Sequence, residues 1–422
     1  MLFIFLYLGA LFIAPHDWLE PFVGLRVDLF LYPAWLLFVM ARGGVRSLVR
    51  LGPQDLLFIG MITWMVLSIS FNGFDAGFGG GSAAIVQNYL KWFMMFRLTV
   101  ATVETLPQVR AALVMVLFYG LVLAAEGIQH MHSASGTGWA GQDFAWMDEL
   151  AASSGVAGRT RWVSNFDGPG VFCVAYTVAV PVALVLVGKP YGALTRLVGL
   201  LMLAPLVLAT VYTGSRGGFL ATVGVIGLYL MIKSGISVTR LAIAGTVALV
   251  LLVVAPAHLT STRDSHSSAQ HRIEMWARGI EMVTTYPVLG VGKGAFASYT
   301  KSLIAHNSGI EIAGETGLPG LFLWIGIIYL GFRNLLRAYR ETADVYVRAT
   351  LTALALSIAG YLLSALFVTL EYELLYFLLA LTCATGLTLK EPQRFTLRDA
   401  AIVAGIALAF LAIVKAVAMV YF

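Results

Sequence analysis

The sequence predicts an all-α fold: a polytopic helical membrane protein with about 12 transmembrane helices and a long, partly helical segment outside the bilayer. Three observations predict it. Of the 422 residues, 59% are hydrophobic and 12% are charged, and the mean hydropathy of +0.86 lies far outside the soluble range. The apolar residues form long unbroken runs, which select helices over barrel strands, because strands would show short alternating segments. The basic residues gather in alternate connections, as the positive-inside rule requires.

In chain order, apolar runs fall near 2–14, 28–41, 56–71, 84–102, 110–128, 169–187, 194–212, 217–232, 238–256, 317–333, 347–368, 371–389 and 399–421. The first two are short and the last carries Lys415, so 12 or 13 spans are expected. The run from Leu2 to Ala14 lacks a basic start and a convincing cleavage site, and it is read as a retained anchor. With a cytoplasmic N-terminus, the inner connections hold Arg42, Arg46 and Arg50; Arg110; Lys189 and Arg196; Lys233 and Arg240; Arg333, Arg337, Arg340 and Arg348; and Lys390, Arg394 and Arg398. The net charge of +5 is thereby assigned to topology and not to a nucleic-acid partner. The other face receives Pro15 to Val27, the glycine-rich link Asn72 to Ser82, a loop at 129–168, the turn around Ser215 and a large loop at 257–317. The glycine-rich link reads as a mobile loop rather than a phosphate cradle. The chain is thus expected to be one transmembrane domain, 1–422, with the 257–317 loop carrying the site on the periplasmic side of a Gram-negative inner membrane. Cys173 and Cys383 both sit in apolar runs, so neither a disulfide framework nor a cysteine metal site is implied. No internal repeat of the kind that builds transporters is visible.

Reactive residue types concentrate on that outer face. Tyr212-Thr213-Gly214-Ser215-Arg216-Gly217-Gly218 joins two spans with almost no loop, making Ser215 a natural N-cap and placing Arg216 in the first helical turn. A cation there opposes the helix dipole, which suits a bound anion; snorkelling to lipid headgroups is the alternative. Residues 269–286 place Ile273, Trp276, Ile280 and Val283 on one stripe, with Arg272, Glu274, Arg278 and Glu281 elsewhere, before Pro287. This reads as an amphipathic helix lying on the membrane surface, with His271 and Arg278 solvated. Gly290-Val291-Gly292-Lys293-Gly294 lacks the spacing of a P-loop and reads as a turn allowing close backbone approach, with Lys293 a secondary candidate for an anionic or sugar ligand. Ser308-Gly309-Ile310-Glu311 has the form of a capping box, predicting a helix from Gly309, with Pro319 opening the next span. His306 then precedes a helix N-terminus, whose positive end keeps an imidazole neutral and able to accept a hydroxyl proton. Glu315, one turn beyond Glu311, is a ligand contact or orients a partner. Arg159 and Arg161, with Asn165 and Asp167, stand just before a span, close enough to help line a site. Lys91 and Glu126 are the main ionisable residues inside spans, and Lys91 is expected to face a polar or water-filled cavity. No metal set and no Gly-x-Ser-x-Gly nucleophile motif stands out.

In order, Thr213-Gly-Ser-Arg216-Gly-Gly, then Arg272-Ile-Glu-Met-Trp276, then Pro287-Val-Leu-Gly-Val-Gly-Lys-Gly-Ala-Phe296, then His306-Asn-Ser-Gly-Ile-Glu-Ile-Ala-Gly-Glu315-Thr-Gly-Leu-Pro-Gly320 resembles the O-antigen ligase and polymerase superfamily. The resemblance covers roughly 165–330 in pattern and the whole chain in span count and loop placement. It implies a glycosyltransferase that takes glycan from undecaprenyl diphosphate and, as a ligase, delivers it to a hydroxyl of lipid A-core. Related members act as O-antigen polymerases or protein O-glycosylation ligases. Carried onto this chain, Arg216 and Arg272 hold the diphosphate and stabilise it as leaving group, and His306 activates the acceptor hydroxyl. The resemblance further implies an inverting transfer with no cofactor, nucleotide or metal, in a multi-pass protein of the bacterial inner membrane. A transporter or flippase of lipid-linked sugars is the rival from another class.

Overall fold

The computed structural model describes all residues except 72–81, 146–157, 189, 235–261, 302–303, 388–393 and 422. Among the described residues the chain is helical with no strand. The helices that matter here are α1 (Leu2–Phe12), α2 (Val27–Ala41), α3 (Pro53–Phe71), α4 (Ser82–Thr102), α5 (Leu106–Met131), α6 (Pro169–Leu186), α7 (Ala193–Tyr212), α8 (Arg216–Ser234), α9 (Thr262–Thr285), α10 (Ser308–Glu341), α11 (Val345–Ala365), α12 (Glu373–Leu387) and α13 (Leu397–Tyr421). Eight of the described helices are long and apolar enough to cross a membrane, and α1, α2 and α12 are shorter apolar helices. The protein is an all-α, polytopic membrane protein. The run expected at 238–256 and nearly all of the glycine-rich link lie outside the described residues.

Packing divides the chain into two compact units, one of Met1–Leu37, Thr105–Thr262 and Tyr339–Phe367, the other of Phe38–Glu104, Arg263–Ala338 and Val368–Phe422. In the first, α6 is the axis: every residue from Val171 to Val185 is buried, with α5, α7, α8 and α11 packed around it. Small residues let the helices approach closely, so a Cβ on Gly120 would come 2.6 Å from that of Ala179. Polar side chains inside this unit bond to one another, as where the Thr177 and Thr222 hydroxyls meet at 2.9 Å. Glu126, fully buried on α5, accepts from Gln142 Nε2 at 2.7 Å, which folds the following loop back over the helix end.

In the second unit, α4 packs on α3 and α12. Here Gln54 of α3 joins α10 and α12 through Asn334 and Thr382, and Arg97 pairs with Asp55 at 2.8 Å, both nearly inaccessible. At the other end of the unit α9 departs from expectation. It runs from Thr262, and its apolar side packs against protein. Met275 and Met282 join Phe296, Ile310 and Val414 in a buried cluster, against which Trp276, Ile280, Phe410 and Leu411 pack. The surface-lying helix is therefore corrected: protein, including α13, covers the face that looked membrane-bound. The stripe hid this because it counted Ile273 and Val283 but not the two methionines, whose flexible side chains fill gaps between helices.

Candidate active site

Helix α10 is two helices joined at Gly317, whose φ of 70° and ψ of −172° break the helical path. Glycine is needed there because a Cβ would sit 2.3 Å from the Val288 carbonyl oxygen, in a backbone region that L residues rarely adopt. The break would strand the carbonyls ending the first half, and neighbours satisfy them. Val291 N–H donates to Gly314 O and Gly292 N–H to Glu315 O, each at 3.0 Å, and Trp64 Nε1 donates to Thr316 O at 2.9 Å. The Gly290–Gly294 run is thus the turn of close backbone approach that its composition predicts, capping a broken helix.

At the start of α10 the predicted capping box is corrected. Asn307, not Ser308, is the cap: its Oδ1 accepts from Ile310 N–H at 3.2 Å, while its carbonyl accepts the first helical bond, from Glu311 N–H at 3.0 Å. Ser308 Oγ instead accepts from Leu370 N–H at 2.7 Å. The Glu311 carboxylate turns back past the helix end to the Ala305 amide at 3.1 Å and the Thr369 hydroxyl at 2.5 Å. Asn and Ser are equally good caps, and tertiary demand for the Ser308 hydroxyl decides between them.

Two residues of this turn frame His306. Ala305 O accepts from Trp276 Nε1 at 3.1 Å, tying the turn to α9. His306 itself has a φ of 51° and is half-buried. Burial, then the charge of Arg272, then that of His271, lower its pKa from 6.5 to about 4. The imidazole is consequently neutral at pH 7. Arg272, half-buried on α9, is close enough to act on it electrostatically.

Behind this turn lies a buried charge cluster. Lys293 Nζ is 2.5 Å from Glu315 Oε2 and 2.6 Å from Glu371 Oε2, and Tyr89 O–H donates to the same Glu371 oxygen at 2.7 Å. Glu315 Oε1 also accepts from Phe296 N–H at 3.1 Å. Burial alone would lower the Lys293 pKa, but the carboxylates of Glu315, Glu371 and Glu311 outweigh it and the net shift is upward. Oxygens of Glu311, Glu315 and Glu371 lie within 4.8 Å of one another, a spacing that suits a metal ion, and the Lys293 ammonium stands among them as their counter-charge. Lys293 and Glu315 therefore hold the turn and the broken helix together.

The first unit carries the remaining candidate arginines, Arg216, Arg159 and Arg161. Arg216 opens α8 and is exposed, and Ser215 Oγ accepts from Gly218 N–H at 3.2 Å, the N-cap that the sequence predicts. Arg159 Nε donates to Thr213 O at 3.2 Å, so its side chain braces the turn leading to Arg216. Arg161 pairs with Asp167 at 3.1 Å and donates to Asp143 O at 2.9 Å. Lys91, in the second unit, is half-buried on α4, between the Tyr89 and Trp92 positions.

Residues 197–325 match the family model described as O-antigen ligase. This stretch is similar to O-antigen ligases. No curated protein matches the chain. The matched segment includes Arg216, Arg272, Lys293, His306, Glu311 and Glu315. Arg159, Arg161 and Lys91 lie outside it, as do Glu371, Thr369 and Tyr89. The last three were missed by sequence reasoning. For Glu371 a signal was present: two carboxylates, Glu371 and Glu373, open an otherwise apolar run, which is costly unless a buried cation receives one of them.

Proposed function

We propose that the chain is an inverting membrane glycosyltransferase that moves a glycan from undecaprenyl diphosphate to a hydroxyl of lipid A-core in lipopolysaccharide assembly. The observation that carries it is a neutral imidazole, His306, fixed in a left-handed backbone conformation beside the charge of Arg272 within the ligase-type segment. His306 accepts the proton of the acceptor hydroxyl as its oxygen attacks the anomeric carbon from the side opposite the diphosphate. The bond from that carbon to the phosphate oxygen breaks, and the electron pair leaves with the diphosphate. Negative charge grows there, and Arg272 is assigned to it, as is Arg216 by the sequence pattern alone, because fixed guanidinium groups aimed at developing charge lower the barrier. A diphosphate is a good leaving group, so this scheme draws on no nucleotide and no metal.

A base whose conjugate acid has a pKa near 4 holds a proton poorly. Bound diphosphate corrects this by offsetting the Arg272 charge, one of the causes of the depression, so the imidazole becomes more basic when the donor is present. Arg159, Arg161 and Lys91 remain secondary candidates for the glycan or its carrier. The site is assigned to the periplasmic face of the inner membrane, since the connections opposite it hold Arg42, Arg46 and Arg50 and Arg333, Arg337 and Arg340.

The test is transfer by purified protein in detergent, supplied with undecaprenyl diphosphate-linked glycan and, separately, lipid A-core, free glycan or a protein acceptor. Product on lipid A-core without any gradient is expected. Product on glycan or protein alone would move the assignment to a polymerase or a protein ligase. Movement of intact lipid-linked sugar across vesicles, with no transfer, would replace the enzyme by a flippase.

A further inference from the structure

We propose that Glu311 is a positioning residue for His306, holding through the Ala305 amide the turn that carries the imidazole. This rests on His306 being the base. Glu311 is one helical turn into α10 and 7% exposed, so a polar carboxyl group there needs hydrogen-bond partners. The Ala305 N–H at 3.1 Å and the Thr369 O–H at 2.5 Å donate to it, and both reach the same oxygen, Oε2. Neither belongs to the start of α10, which Asn307 already caps.

The turn gains from this because His306 has a φ of 51°, which a non-glycine residue keeps only when its flanks over-determine it. Its flanks do so. Ala305 is held at N–H by Glu311 and at O by Trp276, and Asn307 is held by its cap to Ile310. Thr369, in the segment leading into α12, anchors the carboxylate from the far side. Removing Glu311 releases one side of Ala305 and lets the turn relax, carrying the imidazole away from the buried position that keeps it neutral.

Because both bonds use one oxygen, Glu311→Gln keeps an acceptor for each, whereas Glu311→Ala keeps none. The experiment follows the histidine ring resonances of the full-length protein in detergent against pH, with His306→Ala identifying its signal among the seven histidines. Wild-type His306 titrates near 4; Glu311→Ala raises the midpoint toward 6.5, and Glu311→Gln stays near wild type. In transfer from undecaprenyl diphosphate-linked glycan, Glu311→Ala loses about tenfold or more in kcat with donor KM within about twofold, and Glu311→Gln restores most of it. An unchanged midpoint and kcat in Glu311→Ala, or a Glu311→Gln variant as impaired as the alanine, overturns the proposal. Should Glu311→Ala fail to fold, Thr369→Val decides: a raised midpoint that Thr369→Ser reverses supports the clamp, and an unmoved one overturns it. Wild-type turnover in His306→Ala would remove the base itself. Loss of turnover there with an unmoved midpoint in Glu311→Ala would remove only the clamp.

Discussion

Lys293 Nζ and Glu315 Oε2 lie 2.5 Å apart, both buried, and join the glycine-rich turn after α9 to the first half of α10. With Glu371 on the same ammonium, this ion pair fixes the framework behind His306. Lys293→Met would leave the Glu315 and Glu371 carboxylates without the cation they share. Removing one partner of such a pair costs about 3–5 kcal/mol. Denaturant unfolding of the purified protein should show a loss of that order, and an unchanged midpoint would mean the cluster contributes little.

Gly317→Ala tests the broken helix. The new Cβ would meet the Val288 carbonyl at 2.3 Å with the backbone held at a φ of 70°. A loss of at least about 1–3 kcal/mol is expected from backbone strain. Unaltered stability would show that the backbone there accommodates a side chain without strain.

His306 gives a pH dependence with a definite sign. Its folded pKa, about 4, lies below the ordinary 6.5, so between those values the unfolded chain binds more protons. Its contribution to stability is complete above 6.5 and is lost as pH falls toward 4. In kcat/KM, which reports the free enzyme, the acid limb belongs near 4; in kcat, with diphosphate offsetting Arg272, it belongs at higher pH. Acid limbs that coincide near 6.5 would contradict the electrostatic role given to Arg272.

The arginines are tested by binding. Arg216→Ala and Arg272→Ala should each weaken capture of undecaprenyl diphosphate by about tenfold or more, with lysine at either position recovering part of it, since a charged hydrogen bond is worth about 1.5–3 kcal/mol. Calorimetry or a fluorescent diphosphate lipid measures this. A chelator should leave transfer unaffected, and a strict need for a divalent ion would contradict the assignment of the leaving group to arginines.

The spans were legible because hydrophobic length and basic connections report lipid burial directly: the run expected at 169–187 is α6 at Pro169–Leu186, and that at 194–212 is α7 at Ala193–Tyr212. The Ser215 cap before Arg216 was legible for the same local reason. What could not be read were choices made by distant partners. Asn307 and Ser308 are equivalent caps until the 370 amide claims the serine. The apolar stripe of α9 suits lipid as well as protein until α13 arrives against it. Glu311 looked like a cap residue because its true partners, Ala305 and Thr369, include one 58 residues away.

Glycan transfer by His306→Ala, measured beside binding of the diphosphate lipid, bears most directly on the chemistry. Turnover should disappear while the lipid is held with affinity close to that of the unaltered protein. Turnover at the unaltered rate would take the proton-accepting step away from His306 and leave the mechanism without its base.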